Sequence, residues 1–135
     1  MVEKASPPFK RSKGYCIYDL EERLLKFSVI ICHLTEKLPP TRIGDHISRQ
    51  ILRSGTSPAP NYGEAQGAES RRDFIHKMKI CLKELRETKI WLQLIHRLKI
   101  IRNDKLHILI NESDELIAIF VKSIETAQKN AAKSQ

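Results

Sequence analysis

No run of apolar residues in this 135-residue chain approaches the roughly 20 needed to cross a bilayer. The opening MVEKASPPFKRSKG lacks the apolar core of a secretion signal. Cysteine is scarce: Cys16, Cys32 and Cys81 are odd in number, far apart and without CxxC spacing. Cys32 and Cys81 fall in helical patterns and read as small core hydrophobes of a reducing compartment. No membrane role is therefore expected, and a cytoplasmic location is. Strand-like alternation is nearly absent. With 41% hydrophobic and 30% charged residues the chain has the composition of one ordinary globular domain, neither disordered nor fibrous.

Catalytic and metal signatures are missing as well. There is no HExxH, no phosphate-binding glycine loop and no GxSxG. A di-metal bundle would want Glu-x-x-His pairs, yet none of His33, His46, His76, His96 and His107 stands three residues after a Glu. His33 has Glu36 nearby only in the reverse order. Haem would need CxxCH or an axial pair, and neither is visible. Glu84 and Glu87 form a carboxylate pair without a nucleophile or oxyanion donors beside it. No enzyme, metal or cofactor is expected.

What is present is helical periodicity. Leu20, Leu24, Phe27, Ile31, Leu34 and Leu38 recur at alternating spacings of four and three, one stripe of a helix packed lengthwise on others. Asp19 is placed to cap its first turn and Pro39-Pro40 to end it. A second helix is expected from Thr41, whose hydroxyl can cap the amides of residues 43 and 44. Ile43, Ile47, Ile51 and Ser54 lie on its face, with Leu52 beside them. The stretch Ser54 to Asn61 holds Pro58 and Pro60 and predicts a break, with a kinked continuation as the alternative. Its small residues permit a close crossing by another helix or subunit.

A third helix, capped by Ser70 and spanning 71–100, carries Phe74, Met78, Cys81, Leu85, Thr88, Leu92 and Ile95 on its stripe, broadened by Ile75, Leu82 and Trp91. A fourth, capped by Asn103 or Asp104 or starting as late as Asn111 or Ser113, carries Leu106, Leu109, Ile110, Leu116, Ile117, Phe120, Ile124 and Ala127. Each helix has one apolar side, so the expected fold is all-α, an antiparallel up-down-up-down four-helix bundle. Residues 1–14 are expected to form a flexible basic arm, 15–130 the bundle and 131–135 a frayed tail. Leu25, Ile30, Ile75, Trp91, Ile101 and Ile119 fall off or at the margin of the stripes; they either widen the core or are covered by another subunit.

Net charge is +8, and 24 Lys and Arg stand against 16 Asp and Glu. Arg71 to Lys105 holds eleven bases and four acids, whereas the residues after Lys105 hold three and four. Arg71, Arg72, Lys77, Lys79, Lys83, Arg86, Lys89, Arg97, Lys99 and Arg102 are thus candidates for phosphate contacts with RNA or DNA. A well-solvated helix surface explains the same charge without a partner.

One central pattern is more specific. Gln50-x-x-Arg53-Ser54-x-x-Ser57-x-x-x-Asn61-x-x-Glu64-Ala65, then Ser70-x-x-Asp73-Phe74 and Lys83-Glu84-x-x-Glu87-x-x-x-Trp91-Leu92, resembles the bacterial four helix bundle protein family. That family is also called the 23S rRNA intervening-sequence protein family, and the likeness covers roughly residues 18–128. The resemblance implies a left-handed antiparallel bundle. It also implies a homo-oligomer, with homopentamers known among relatives, and a link to nucleic acid through the accessory proteins of diversity-generating retroelements. Pro58, Pro60 and Tyr62-Gly63 depart from the pattern. Arg53, Asn61, Glu64, Glu84 and Glu87 match it, as does Lys83. They are read either as a surface that meets a partner or as ion pairs, within the bundle or between subunits, that fix helix register.

Overall fold

The apolar stripes bury each other as helices. In the structure, a computed structural model, residues 13–102 and 104–133 are described, with the side chains of residues 13–19 outside that description. The elements are α1 (Lys13–Lys37), α2 (Arg42–Thr56), α3 (Pro58–Gln66), α4 (Arg71–Leu98) and α5 (Lys105–Lys133). Among the described residues there is no strand. Close backbone contacts join α1 to α2, α3 and α5, and α4 to the same three, while none joins α1 to α4. With α2 and α3 forming one side, this is a four-helix bundle with α1 and α4 diagonal.

The caps expected from sequence close two helices. The Thr41 hydroxyl accepts from the Gly44 amide at 3.0 Å, and Ser70 Oγ from the Asp73 amide at 3.0 Å. Each satisfies a donor that the first turn cannot pair internally. The five stripe residues of α1 from Leu20 to Leu34 are buried, as are Leu38 just after it and Met78, Cys81, Leu85, Thr88, Leu92 and Ile95 of α4. The rings of Tyr62 and Phe120 meet edge to face across the middle, 5.9 Å apart.

Several expectations are corrected. α1 is already helical at Lys13, so Asp19 lies inside the helix rather than at its cap. The arm expected over 1–14 falls outside the described residues up to residue 12, and its last two residues belong to α1. α5 starts at Lys105, not Asn111 or Ser113, and runs to Lys133. The tail expected over 131–135 is thus helical for three residues and otherwise outside the described residues, as is Asn103 as a cap. α4 ends at Leu98, where Lys99 turns left-handed with φ of 54°. Ile43 and Leu52 are exposed. Ile43, Ile47 and Ile51 are spaced by four, so the row drifts around a helix of 3.6 residues per turn. Gly44, three before Ile47, takes the core-facing position instead. Cys32 is half-buried while Cys81 is buried.

The proline stretch interrupts the helix at Ser57 and then resumes it. Ser57 keeps helical angles (φ −66°, ψ −36°) between α2 and α3, and its amide still donates to the Arg53 carbonyl at 3.1 Å. Pro58 opens α3 at the first helical position, where a missing amide costs little. The Asn61 amide resumes the ladder on the Ser57 carbonyl at 3.2 Å. The small residues do mark a close crossing, and it lies within the chain: a Cβ on Gly55 would stand 2.8 Å from Ile31 Cγ2 of α1. Of the marginal apolar residues, Ile30, Ile75, Trp91, Ile101 and Ile119 pack against the core, and Leu25 stays exposed.

Candidate nucleic-acid interface

α4 carries the basic candidates because its apolar stripe fixes which residues face out. Arg72, Lys79, Lys83, Arg86 and Arg97 are exposed, and their spacings of 7, 4, 3 and 11 return them to one outer face of a 3.6-residue helix. Arg71 is exposed at the first turn, on the rim of an open cavity of about 740 Å³ between the α3–α4 turn and the latter part of α5. Lys99 and Arg102 are exposed beyond the C-terminus of α4.

Two further candidates are ion-paired to neighbouring helices. Lys77 Nζ donates to Glu64 Oε1 of α3 at 2.7 Å, and this bond together with the nearby carboxylate raises the lysine's pKa. Lys89 Nζ lies 2.6 Å from Asp114 Oδ1 of α5. Each lysine therefore has a carboxylate partner within the chain.

The five polar residues of the central pattern line the seam between α2/α3 and α4. Arg53 Nη1 donates to Glu84 Oε1 at 2.9 Å and Nη2 to Glu87 Oε2. The Glu84 bond, foremost, and both carboxylate charges hold the guanidinium above its ordinary pKa against a lesser opposing desolvation. Glu84 is buried, so its charge needs such a partner. Trp91 Nε1 donates to Glu87 at 3.0 Å, and the His46 ring meets the Trp91 ring edge-on at 5.8 Å. Asn61 Nδ2 donates to both the carbonyl and the hydroxyl of Ser57, each at 2.9 Å, bridging the proline junction. Beneath them the Thr88 hydroxyl donates to Ser54 Oγ at 2.9 Å within the core. Arg53 and Glu64 therefore find their charge partners within the chain.

Sequence reasoning did not single out Arg23. It is buried on α1, with Nε 2.8 Å and Nη2 2.5 Å from the two oxygens of Glu112, and Nη2 2.9 Å from Glu115. The signal was present: Arg23 stands three residues after Leu20 and one before Leu24, at the edge of the stripe. The exposed apolar residues Val29, Ile90, Leu94, Leu98 and Ile108 were also missed.

Among the described residues no group of three or more His, Cys, Asp or Glu could hold a metal ion. His96 and His107 approach to 5.5 Å between ring centroids without a third ligand. Burial pushes the Cys81 thiol up to about 12, so it stays protonated. No helix of the described residues is long and apolar enough to cross a membrane.

Residues 19–122 match the family model of the 23S rRNA-intervening sequence proteins. The chain belongs to that family. A crystal structure of a protein of unknown function from the S23 ribosomal protein family of Bacteroides thetaiotaomicron is similar, with a TM-score of 0.72 and 38% identity. The alignment covers 78% of this chain and 97% of that one. No functionally curated protein matches significantly. The whole central pattern lies inside the 23S rRNA-intervening sequence region, as do all ten basic candidates.

Proposed function

We propose that this member of the family is a non-enzymatic, self-assembling helical-bundle protein of the cytoplasm that binds nucleic acid by phosphate contacts from the outer face of α4. The observation that carries this reading is the alignment of Arg72, Lys79, Lys83, Arg86 and Arg97 on one exposed face. Phosphate contacts of this kind hold a polyanion without reading bases, in keeping with a surface that has no recognition-helix motif. Arg71, Lys99 and Arg102 extend the face at its two ends, while Lys77 and Lys89 serve the bundle.

The finer architecture belongs to the same proposal. An antiparallel up-down-up-down order is supported by residue numbers that run oppositely along paired helices. Glu64 faces Lys77 and Ser54 faces Thr88, while Arg23 faces Glu112 and a cleft near Lys37 reaches Lys105. The left-handed twist and a ring of five copies follow from the family resemblance.

Binding to structured RNA and to duplex DNA, titrated from about 50 to 300 mM salt, tests the proposal, because each phosphate contact steepens the salt dependence. Micromolar binding at the low end, falling steeply with salt and weakened at least tenfold by Arg72→Glu with Lys79→Glu and Lys83→Glu, is the expected result. No binding at 50 mM salt overturns it. A second reading, a scaffold whose activity is self-assembly alone, is favoured by the exposed Ile90, Leu94 and Leu98. It predicts an oligomer by light scattering with no affinity for either nucleic acid.

A further inference from the structure

Two histidines face each other where α4 ends and α5 begins. The rings of His96 and His107 lie 5.5 Å apart between centroids, with their planes tilted by 57°. The register of the two helices fixes this meeting. Lys89 pairs with Asp114 across the same seam at 2.6 Å, and Lys89 to His96 and His107 to Asp114 are seven residues each. Residues seven apart return to one side of a helix, close to two turns along, so the ion pair and the ring pair belong to one line of contacts. Seven residues the other way, the equivalent positions hold Leu82 and Val121, both half-buried and apolar. Both histidines are exposed. Among the described residues neither ring takes part in a hydrogen bond or an ion pair. Looking for Glu-x-x-His spacing within one helix does not find such a pair, since its members come from two helices.

We propose that His96 and His107 form a two-ligand site for a divalent transition metal, zinc foremost. Imidazole nitrogen suits zinc, nickel and copper, whereas magnesium and calcium take oxygen ligands. The ring spacing fits. A zinc–nitrogen bond of about 2.1 Å and a ring radius of about 1.2 Å set two tetrahedral ligands about 5.4 Å apart between centroids. Adjacent ligands of a square-planar ion would need about 4.7 Å, which favours zinc over copper(II). The tilt fits too, because a nitrogen lone pair lies in the plane of its ring. In a parallel stack the two planes never meet, and at 57° they cross. Two protein ligands leave the other tetrahedral positions to water, so the site is a micromolar one, unlike the closed four-ligand sites of structural zinc. Charge also works against tight binding: Arg97, Lys99, Arg102 and Lys105 stand on neighbouring residues, with Asp104 the acid among them. A bound ion ties the last turn of α4 to the first turn of α5 across the segment that carries Lys99 and Arg102. It leaves the outer face of α4 untouched, since the ring pair lies on the seam with α5.

Zinc titrated calorimetrically into the full chain, without a purification tag and with the thiols kept reduced, tests the site. Wild type is compared with His96→Ala, His107→Ala and His76→Ala, the last an exposed histidine about 30 Å away along α4. Circular dichroism confirms the helical content of each. Wild type and His76→Ala are expected to bind one zinc per chain with micromolar affinity, and the other two to bind about tenfold more weakly or less. Magnesium should give no binding. No uptake with zinc at millimolar concentration overturns the site, and magnesium binding of equal strength overturns ligation by imidazole. Zinc binding that survives either His96→Ala or His107→Ala overturns the pair, placing the ion on one ring alone or on other groups such as the Cys32 thiol.

Discussion

The seam between α2/α3 and α4 and the seam between α1 and α5 are both built from amphipathic helices, yet they are finished differently. The first is specified atom by atom: Thr88 on Ser54, Arg53 between Glu84 and Glu87, Lys77 on Glu64, and the Cys81 thiol 3.5 Å from the Pro58 carbonyl. The second has one arginine, Arg23, gripping Glu112 and Glu115. Beside it are two clefts of about 380 and 440 Å³ that share Ile30. Apolar periodicity alone brings four helices together, but it does not decide how close each pair comes. Small and polar residues placed on the stripe do that, and they are concentrated on α2, α3 and α4.

The largest effect is expected where α2 crosses α1, the contact that holds the tight seam's first helix in place. Gly55→Val puts three carbons where Ile31 of α1 leaves no room for one, and Ile31 is fully buried. Overpacking of this kind should cost about 3 kcal/mol. For a domain of this size that lowers the melting temperature by roughly 10 °C, readable by circular dichroism. Thr88→Val keeps the shape but removes the donor to Ser54 and leaves that hydroxyl buried; a loss of about 1–2 kcal/mol in urea unfolding is expected, with an unchanged m-value.

Alkaline pH probes the same seam at Cys81. The fold holds this thiol neutral up to about 12, while in the unfolded chain a thiol ionises near 8.5. The folded value is the higher one, so the contribution is fully present below the unfolded value and is lost as pH rises toward the folded one. At pH 10 wild type should have lost about 1–2 kcal/mol relative to pH 7.5 beyond whatever Cys81→Ala loses over the same range. Equal pH dependence in the two chains would contradict the assignment. The loose seam gives the smallest effect. Ile30→Phe directs extra carbon toward the clefts beside α5 and should change stability by no more than about 0.5 kcal/mol in either direction, checked by the same urea titration. A loss as large as that of Thr88→Val would show the two seams to be equally tight.

The same contrast separates what could be read in the sequence from what could not. The stripes of α1 and α4 and the caps at Thr41 and Ser70 are local, set by spacing and by one hydroxyl each, and they are legible residue by residue. The family pattern marks Arg53, Asn61, Glu64, Glu84 and Glu87, but only the folded chain shows that Arg53 reaches both glutamates on α4 and that Glu64 takes Lys77. Partners thirteen to thirty-four residues apart leave no trace in any single helical window. Lys77 and Lys89 illustrate the cost for the candidate interface, since a count of charge cannot distinguish a base aimed at solvent from one turned toward a neighbouring helix. The proline stretch was ambiguous because proline's penalty depends on position. Inside a helix it breaks the ladder, and at the first position after Ser57 it begins one.

The proline junction also bears on how the bundle comes apart. Pro58 and Pro60 give no amide, so the backbone hydrogen bonds of α2 cannot run unbroken into α3. The nine residues of α3 are too few to persist as a helix on their own. They are held by Tyr62 and Ala65 in the core and by the contact of Glu64 with Lys77. Amide exchange should therefore not treat α2 and α3 as one rod. The end of the bundle made by α3, its turn and the first residues of α4 is expected to exchange as a separate cooperative unit, at lower free energy than the Ser54–Thr88 level. Arg71 and Arg72 belong to that end, so on this expectation the basic face would move at its N-terminal end more than at its centre, anchored by Glu84 and Leu85.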